Sequence, residues 1–310
     1  MTTRSRSSLM TPLFWLSGTV LALVIVAVTI GPMLLVDPYT QSLTERLLPP
    51  FSEGHILGTD SLGRDLASRL VNGGRIAMVV SLFGMLGSML IGIVAGLLAS
   101  SSNRTVRWAL ERLIDVQMAL PYVILAIVLV SATGTSLGIL ILLMVLAGWA
   151  SAARIVRSVA MAERAKDYVP AAEMVGAGVP RVLFKYIGPA VFPVALTIAP
   201  LQASAMIVME STLSFLGLGI QPPTASWGGI LLEGKPYLDE AWWLTTLPGI
   251  AIAITSAALL GLGSALEIAL ARRQRQRTTA PIGAAPAEST VVVRVLAEQG
   301  MASSRGGGRS

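Results

Sequence analysis

Six apolar runs separated by short polar segments make up most of the chain: residues 13–36, 76–100, 113–132, 137–159, 194–216 and 243–270. Each supplies about 20 residues or more, enough at about 1.5 Å per residue to cross a hydrocarbon core of about 30 Å. Lipid offers no partner to a free amide or carbonyl, so runs of this kind are expected to be helical. The expected fold is all-α and polytopic, with about six transmembrane helices. Pro121 falls inside the third run and predicts a kink there, because proline removes one ladder hydrogen bond. The first run is much longer than the apolar core of a secretory signal, and no small-x-small cleavage site precedes Asp37-Pro38, so it reads as an uncleaved first span.

The polar segments divide the chain further. Residues 1–12 are expected as a short cytoplasmic N-terminus, 37–74 as a turn-rich extracytoplasmic segment, and 133–136 as a tight turn. Asn103, Arg104, Arg107 and Arg112 mark a boundary, with 107–112 expected as a short interfacial helix. Residues 75–271 form a five-helix core that contains a polar loop at 162–193 and another at 221–239. After residue 271 the composition turns to Ala, Pro, Ser and Gly, and 272–310 is expected to be a disordered cytoplasmic tail.

Composition agrees with the pattern. Hydrophobic residues make up 54% and charged residues 13% of the chain, against about 25% charged in a soluble domain, and mean hydropathy is +0.72. The absence of cysteine excludes disulfides and thiolate metal sites. Net charge is +6, but its placement points to topology rather than to nucleic acid. Of the 23 Lys and Arg, 15 fall on the side of the two termini, five on the opposite side, and three in the distal tail. Short cytoplasmic loops retain Lys and Arg during insertion, so both termini and the 162–193 loop are expected in the cytoplasm and the protein in the cytoplasmic membrane.

Within that loop, residues 168–189 form a polar island too long for a turn. Pro170 and Pro180 each suit the first position of a short helix and push Val169 and Val179 out of the helical region. Gly176 and Gly178 suit the bend between the two helices. Ala171 and Ala172 leave a nearly bare face on which another protein could approach the backbone. The spacing of Ala171, Ala172, Gly176, Ile187 and Pro189 resembles the EAA loop of ATP-binding-cassette importer permeases, with Pro170 where the family has glutamate and Gly188 where it has leucine. The resemblance implies a type I importer permease fold and makes Tyr168, Val169, Pro170, Ala171, Ala172, Gly176, Ile187 and Pro189 the coupling loop that sits in a groove of an ATPase subunit.

Two longer strings are more specific. His55-Ile-Leu-Gly-Thr-Asp60-Ser-Leu-Gly-Arg64-Asp65 and Leu213-Ser-Phe-Leu-Gly-Leu-Gly-Ile-Gln221-Pro222-Pro-Thr-Ala-Ser-Trp227-Gly resemble the signatures of the C-type permeases of dipeptide and oligopeptide importers. Near the C-terminus, Leu262-Gly-Ser-Ala-Leu-Glu-Ile-Ala-Leu departs from the Gly-Asp and Asp-Pro motifs of that subfamily. The resemblance implies a B-type second permease, two ATP-binding subunits, an extracytoplasmic solute-binding protein and a peptide cargo; other members of the subfamily carry nickel chelates or glutathione. It implies no cofactor in this chain, with ATP and Mg held by partner subunits.

The residues themselves add candidates and exclusions. Asp60, Arg64, Asp65 and Arg69 lie close enough in sequence to form a paired network or a cap on the second span. Gln221 and Pro222 fix an extended turn, and Trp227, Trp242 and Trp243 suit an interfacial belt. His55, the only histidine, has no clustered partners for a metal. Gly229 to Lys235 approaches a phosphate-binding loop, but Pro236 stands where a hydroxyl is needed and no strand precedes it, so ATP hydrolysis is expected elsewhere. Glu210 lies inside the fifth run and is expected to face the bundle interior or a substrate path, while Asp115 and Glu267 sit nearer the cytoplasmic ends. An ion-coupled carrier is the alternative class, but paired midplane acids and inverted repeats, which it predicts, are not seen.

Overall fold

A computed structural model describes residues 5–278. The chain divides into two compact units, Met1–Ile268 and Ala269–Ser310; of the second, residues 269–278 are described and are helical. Most of the expected tail, 279–310, lies outside the described residues.

Every named element is a helix. In chain order these are α1 (Ser5–Leu34), α2 (Leu66–Leu98), α3 (Arg104–Ala119), α4 (Tyr122–Thr133), α5 (Leu137–Arg164), α6 (Tyr168–Met174), α7 (Val179–Arg181), α8 (Gly188–Phe215), α9 (Trp227–Gly234) and α10 (Trp243–Thr278). A π-helical turn, Val182–Ile187, joins α7 to α8. Among the described residues, five helices are long and apolar enough to cross a membrane, and a sixth span results if α3 and α4 count together.

Three boundaries differ from the sequence reading for local reasons. α2 starts at Leu66, ten residues before its apolar run, because Asp65 caps it: the carboxylate accepts from the Ser68 amide at 2.8 Å and from the Ser68 hydroxyl at 2.9 Å. The third run is not one kinked helix. It breaks at Leu120–Pro121 into α3 and α4, bent by 87°, since Leu120 takes an extended backbone (ψ 122°) before the proline. The fifth span begins in the polar island itself, because the backbone continues from Val179 to Phe215 without leaving helical geometry.

The seam between α2 and α5 holds the bundle together. Gly84, Ser88, Gly92 and Gly96 recur every fourth residue, so they line one face of α2. A Cβ added at Gly92 would lie 2.5 Å from the Ala152 Cβ and 3.0 Å from the Ala153 amide, and one at Gly96 would lie 2.6 Å from the Ala153 carbonyl. Small residues thus let two backbones touch, which is how helices associate where lipid competes equally for apolar side chains. One polar bridge crosses this seam to α8: Gln202 Nε2 donates to Ser88 Oγ at 2.8 Å and to the Gly148 carbonyl at 3.0 Å.

Replacing Gly92 by Ile should lower stability by about 1–3 kcal/mol or more, since the added branches meet backbone rather than movable side-chain ends. Thermal unfolding of the purified protein in detergent checks this; a melting temperature equal to the wild type would show that α2 and α5 are not held at this separation.

Candidate functional site

The polar island folds into a small platform on the ends of α2, α5 and α8. Val169, Val182, Leu183 and Ile187 are buried against Leu97, Val156, Ala160 and Val191. α6 begins at Tyr168, two residues earlier than expected, and includes Val169. Pro170 is therefore its third residue, a first-turn position where no amide hydrogen is required, and the burial of Val169 overrides the proline's preference for an extended neighbour. The helix closes at Gly176 with φ +90°. The Ala177 amide donates to the Ala172 carbonyl and the Gly176 amide to the Glu173 carbonyl, both at 3.0 Å, so the bend needs a residue that tolerates the left-handed region. Gly178 is an ordinary extended residue. Pro180 does stand in the first turn of α7.

Charge fixes the platform sideways. Arg164, at the end of α5, pairs with Glu173 of α6 and donates to the Ser100 carbonyl at 2.8 Å. Tyr168 donates to Glu163; burial, together with that hydrogen bond and the charge of Glu163, pushes the phenol up to about 12, so it stays protonated at neutral pH. Ala171 is exposed and Ala172 half-buried, while Met174 and Val175 at the tip are 82% and 90% exposed. Ile187 is buried and Pro189 exposed. The result is a rigid base with an apolar tip.

At the other end of the bundle the first signature forms a paired network. Arg64 Nε donates to Asp60 Oδ2 at 2.6 Å, and Arg69 also pairs with Asp60. Glu233 of α9 completes it, accepting from Arg64 Nη2 at 2.7 Å and from Arg69 Nη1 and Nη2 at 2.6 and 3.0 Å. Asp60 further accepts from the amides of Leu62 and Arg64. Two guanidiniums and two carboxylates balance, three of the four buried. Asp65 lies outside this quartet. It caps α2 and takes His55 Nδ1 at 2.9 Å.

Glu233 and Glu173 are the residues that sequence reasoning missed. Once Asp65 serves as a cap, two arginines are left with one local carboxylate, and that surplus is the signal that a distant acid must supply the other.

The second signature docks α9. Trp227 is buried, not in an interfacial belt: its Nε1 donates to the Leu70 carbonyl at 2.8 Å, and its ring closes on Gly74, where a Cβ would lie 2.7 Å from Cζ2. Trp243 is likewise buried and donates to the Thr59 carbonyl at 3.1 Å, whereas Trp242 is exposed. Their indoles are drawn inward because each finds a carbonyl on the 37–74 side. Gln221 Nε2 donates to the carbonyls of Gly217 and Gly219, each at 3.1 Å, closing the turn beside Pro222. A cavity of about 60 Å³ lies among Arg69, Glu233, Ser214 and Gln221.

Glu210 is fully buried in α8. Its carboxylate accepts from the Ser214 hydroxyl at 2.7 Å and from Ser211 at 3.4 Å. It lines neither that cavity nor the larger apolar one, about 520 Å³, between α1, α2, α8 and α10. Asp115 pairs with Arg154 at 3.0 Å.

A multi-pass helical bundle with a clamped polar platform at one end and a sealed ionic joint at the other is the architecture of a membrane permease component. Residues 88–276 match the family described as binding-protein-dependent transport system inner membrane component, and the chain belongs to it. A permease of this family works with an ATPase and a substrate-binding protein. The chain is 36% identical over 239 residues to the di/tripeptide transport system permease protein DppC of Pseudomonas aeruginosa, covering 76% of this chain and 79% of that protein. It is 37% identical over 261 residues to the dipeptide transport system permease protein DppC of Bacillus subtilis, covering 83% and 81%. To the protein of the same name in Escherichia coli K12 it is 34% identical over 245 residues, covering 77% and 82%.

Replacing Asp60 by Asn should cost about 3–5 kcal/mol, because it leaves a guanidinium buried without its counter-charge. Thermal unfolding is the readout, and an unchanged melting temperature would mean that solvent already screens the quartet. At Glu210, Ala should lower stability by about 1–3 kcal/mol by stranding the Ser214 hydroxyl, while Gln, which keeps an acceptor oxygen, should lose less. Equal losses for the two would rule out the hydrogen bond as the reason for its burial.

Proposed function

We propose that the chain is the C-type permease subunit of an ATP-driven importer that carries di- or oligopeptides across the cytoplasmic membrane. A B-type second permease, two ATP-binding subunits and an extracytoplasmic solute-binding protein complete the assembly. ATP and Mg belong to the ATP-binding subunits, and the chain itself catalyses no reaction and holds no cofactor. Both termini and α6 face the cytoplasm. The peptide crosses between the two permeases as they alternate between outward- and inward-open states.

The observation that carries this reading is the platform. An exposed apolar tip, Met174 and Val175, stands on a base buried against α2, α5 and α8. An isolated seven-residue helix is not stable in water, and exposed apolar side chains at such a tip suit a partner's groove. The partner is an ATPase subunit. Closure of its groove moves α6, and the packing of Val169 and Ile187 passes that motion to the spans. Pro170 removes the charge that a glutamate would present, so the contact rests on shape and apolar area, with Arg164 holding Glu173 inward. Peptide as cargo is supported by the relatives, which are peptide-transport permeases by name over most of the chain.

A charge at the tip separates docking from folding. In Val175→Asp the exposed site leaves the melting temperature within about 1 °C of the wild type, while ATP-dependent uptake of a labelled dipeptide by the reconstituted importer falls at least tenfold. A thiol placed by Ala172→Cys should cross-link to the ATPase groove in an ATP-dependent way. Undiminished uptake by Val175→Asp, or no cross-link in the assembled complex, would refute the coupling role; transport in the absence of any ATPase would refute the importer.

A further inference from the structure

Exposed charge and broken backbone occur together on one face of α3 and α5, which runs from Arg112 and Asp115 at the edge of an apolar run inward to Arg154 and the Leu120–Pro121 break. On α5 the stripe Ser151, Arg154 and Ser158 is exposed, and across from it α3 presents Arg112, Asp115 and Ala119. Arg154 Nη2 donates to Asp115 Oδ1 at 3.0 Å, and Arg112 Nη1 lies 3.9 Å from Asp115 Oδ2. Arg157 pairs with Glu111 about one turn nearer the end of α5. The Arg154 and Asp115 side chains are 54% and 53% exposed, so neither the protein's own core nor a neighbouring helix of this chain covers them.

Depth makes this placement informative. Ser151 lies midway along α5, about 20 Å from either end, and Arg154 about 15 Å from Arg164, at about 1.5 Å per residue. α3 runs alongside the middle of α5, because its Glu111 and Asp115 meet Arg157 and Arg154 and Gln117 Nε2 reaches the Leu146 carbonyl at 2.9 Å. Three residues further on comes the Leu120–Pro121 break, with Leu120 48% exposed and no side-chain cap on α4.

Neither feature is compatible with lipid. A charge costs about 2.5–3.5 kcal/mol at a helix centre on insertion scales and less toward the edge, where Arg154 lies five residues inside its run; irregular backbone in the hydrocarbon region occurs only where it is covered by protein or lines a water-filled cavity. Long arginine side chains can snorkel toward an interface. Asp115 lies near the edge of its apolar run, but the open Leu120 backbone, further inside it, has no such escape.

We infer that this face of α3 and α5 lines a water-filled passage in the assembled importer, along which the substrate travels. The inference rests on the proposed function for its cargo. Arg112, Asp115 and Arg154 offer both signs of charge within a few ångströms, a wall that tolerates a zwitterionic peptide without binding either terminus tightly. The passage is separate from Glu210, which is sealed in α8.

The chain contains no cysteine, so single thiols report accessibility without background. Ser151→Cys and Ala119→Cys, in the assembled importer in membrane vesicles opened to both faces, are treated with a charged, membrane-impermeant maleimide. Leu23→Cys, on the exposed face of α1, is the lipid-facing comparison. Both passage thiols should react at least tenfold faster than Leu23→Cys, and modification of either should abolish dipeptide uptake by the reconstituted importer. Reaction as slow as Leu23→Cys at both positions overturns the inference, including the case in which the second permease simply covers this face. Complete modification without loss of uptake overturns it equally. Labelling needs no cargo, so absence of dipeptide uptake before any modification sinks the peptide assignment of the preceding section instead.

Discussion

Hydrocarbon offers no hydrogen-bond partner, and that constraint decides where each polar group of this chain can go. Inside the bundle several polar side chains show how it is met. Ser214 serves Glu210, Gln202 bridges Ser88 and Gly148, and Gln117 reaches the Leu146 carbonyl. Between helices the same constraint removes the advantage of large apolar side chains, since lipid packs against them equally well. Close approach of backbones is what remains, and the Gly84–Ser88–Gly92–Gly96 face of α2 supplies it against α5.

The two ends of the bundle meet water and solve a different problem. There, helix ends carry unsatisfied amides and carbonyls, and short helices have little stability of their own. The end that carries the 37–74 segment uses charge: Asp65 caps α2, and the quartet of Asp60, Arg64, Arg69 and Glu233 ties that segment to α9 across 169 residues of sequence. At the platform, apolar burial under α6 and two links from α5, Arg164 to Glu173 and Tyr168 to Glu163, take that role. An ionic joint is specific but costly to break, as suits a structural seam.

The spans were legible because their signal is length and apolarity, which need no tertiary information. So was the existence of the platform, from two prolines, two glycines and small residues at fixed spacing. What escaped depended on pairing across sequence. The roles of Glu233 and Glu173 could not be read from their surroundings, since each acquires its meaning from an arginine brought by another helix. Trp227 and Trp243 carried an interfacial signature by type and were instead drawn inward by carbonyls of Leu70 and Thr59. The start of α2 was misplaced because a cap, not hydrophobicity, decides it. Pro121 announced a kink, but its size depends on both halves finding separate contacts along α5: Ile114 beside Trp149 and Ala153, and Ala126 among Leu140 and Met144.

α5 is where these solutions meet. Its end carries the Arg164 clamp, its exposed stripe carries Ser151 and Arg154, its buried face takes the glycines of α2, and its first turns pack against α4. A 28-residue helix is stiff over its length of about 42 Å, so displacement applied at Arg164 reaches Leu140 with little loss. α3 and α4 both rest on it but are joined only by the Leu120–Pro121 break, where no helical hydrogen bond resists rotation. A tilt of α5 would therefore change the angle between α3 and α4 before it disturbed the glycine seam, because the seam is held by backbone contact and the break by none. The Leu120–Pro121 break lies beside the face where exposed charge and a polar stripe meet.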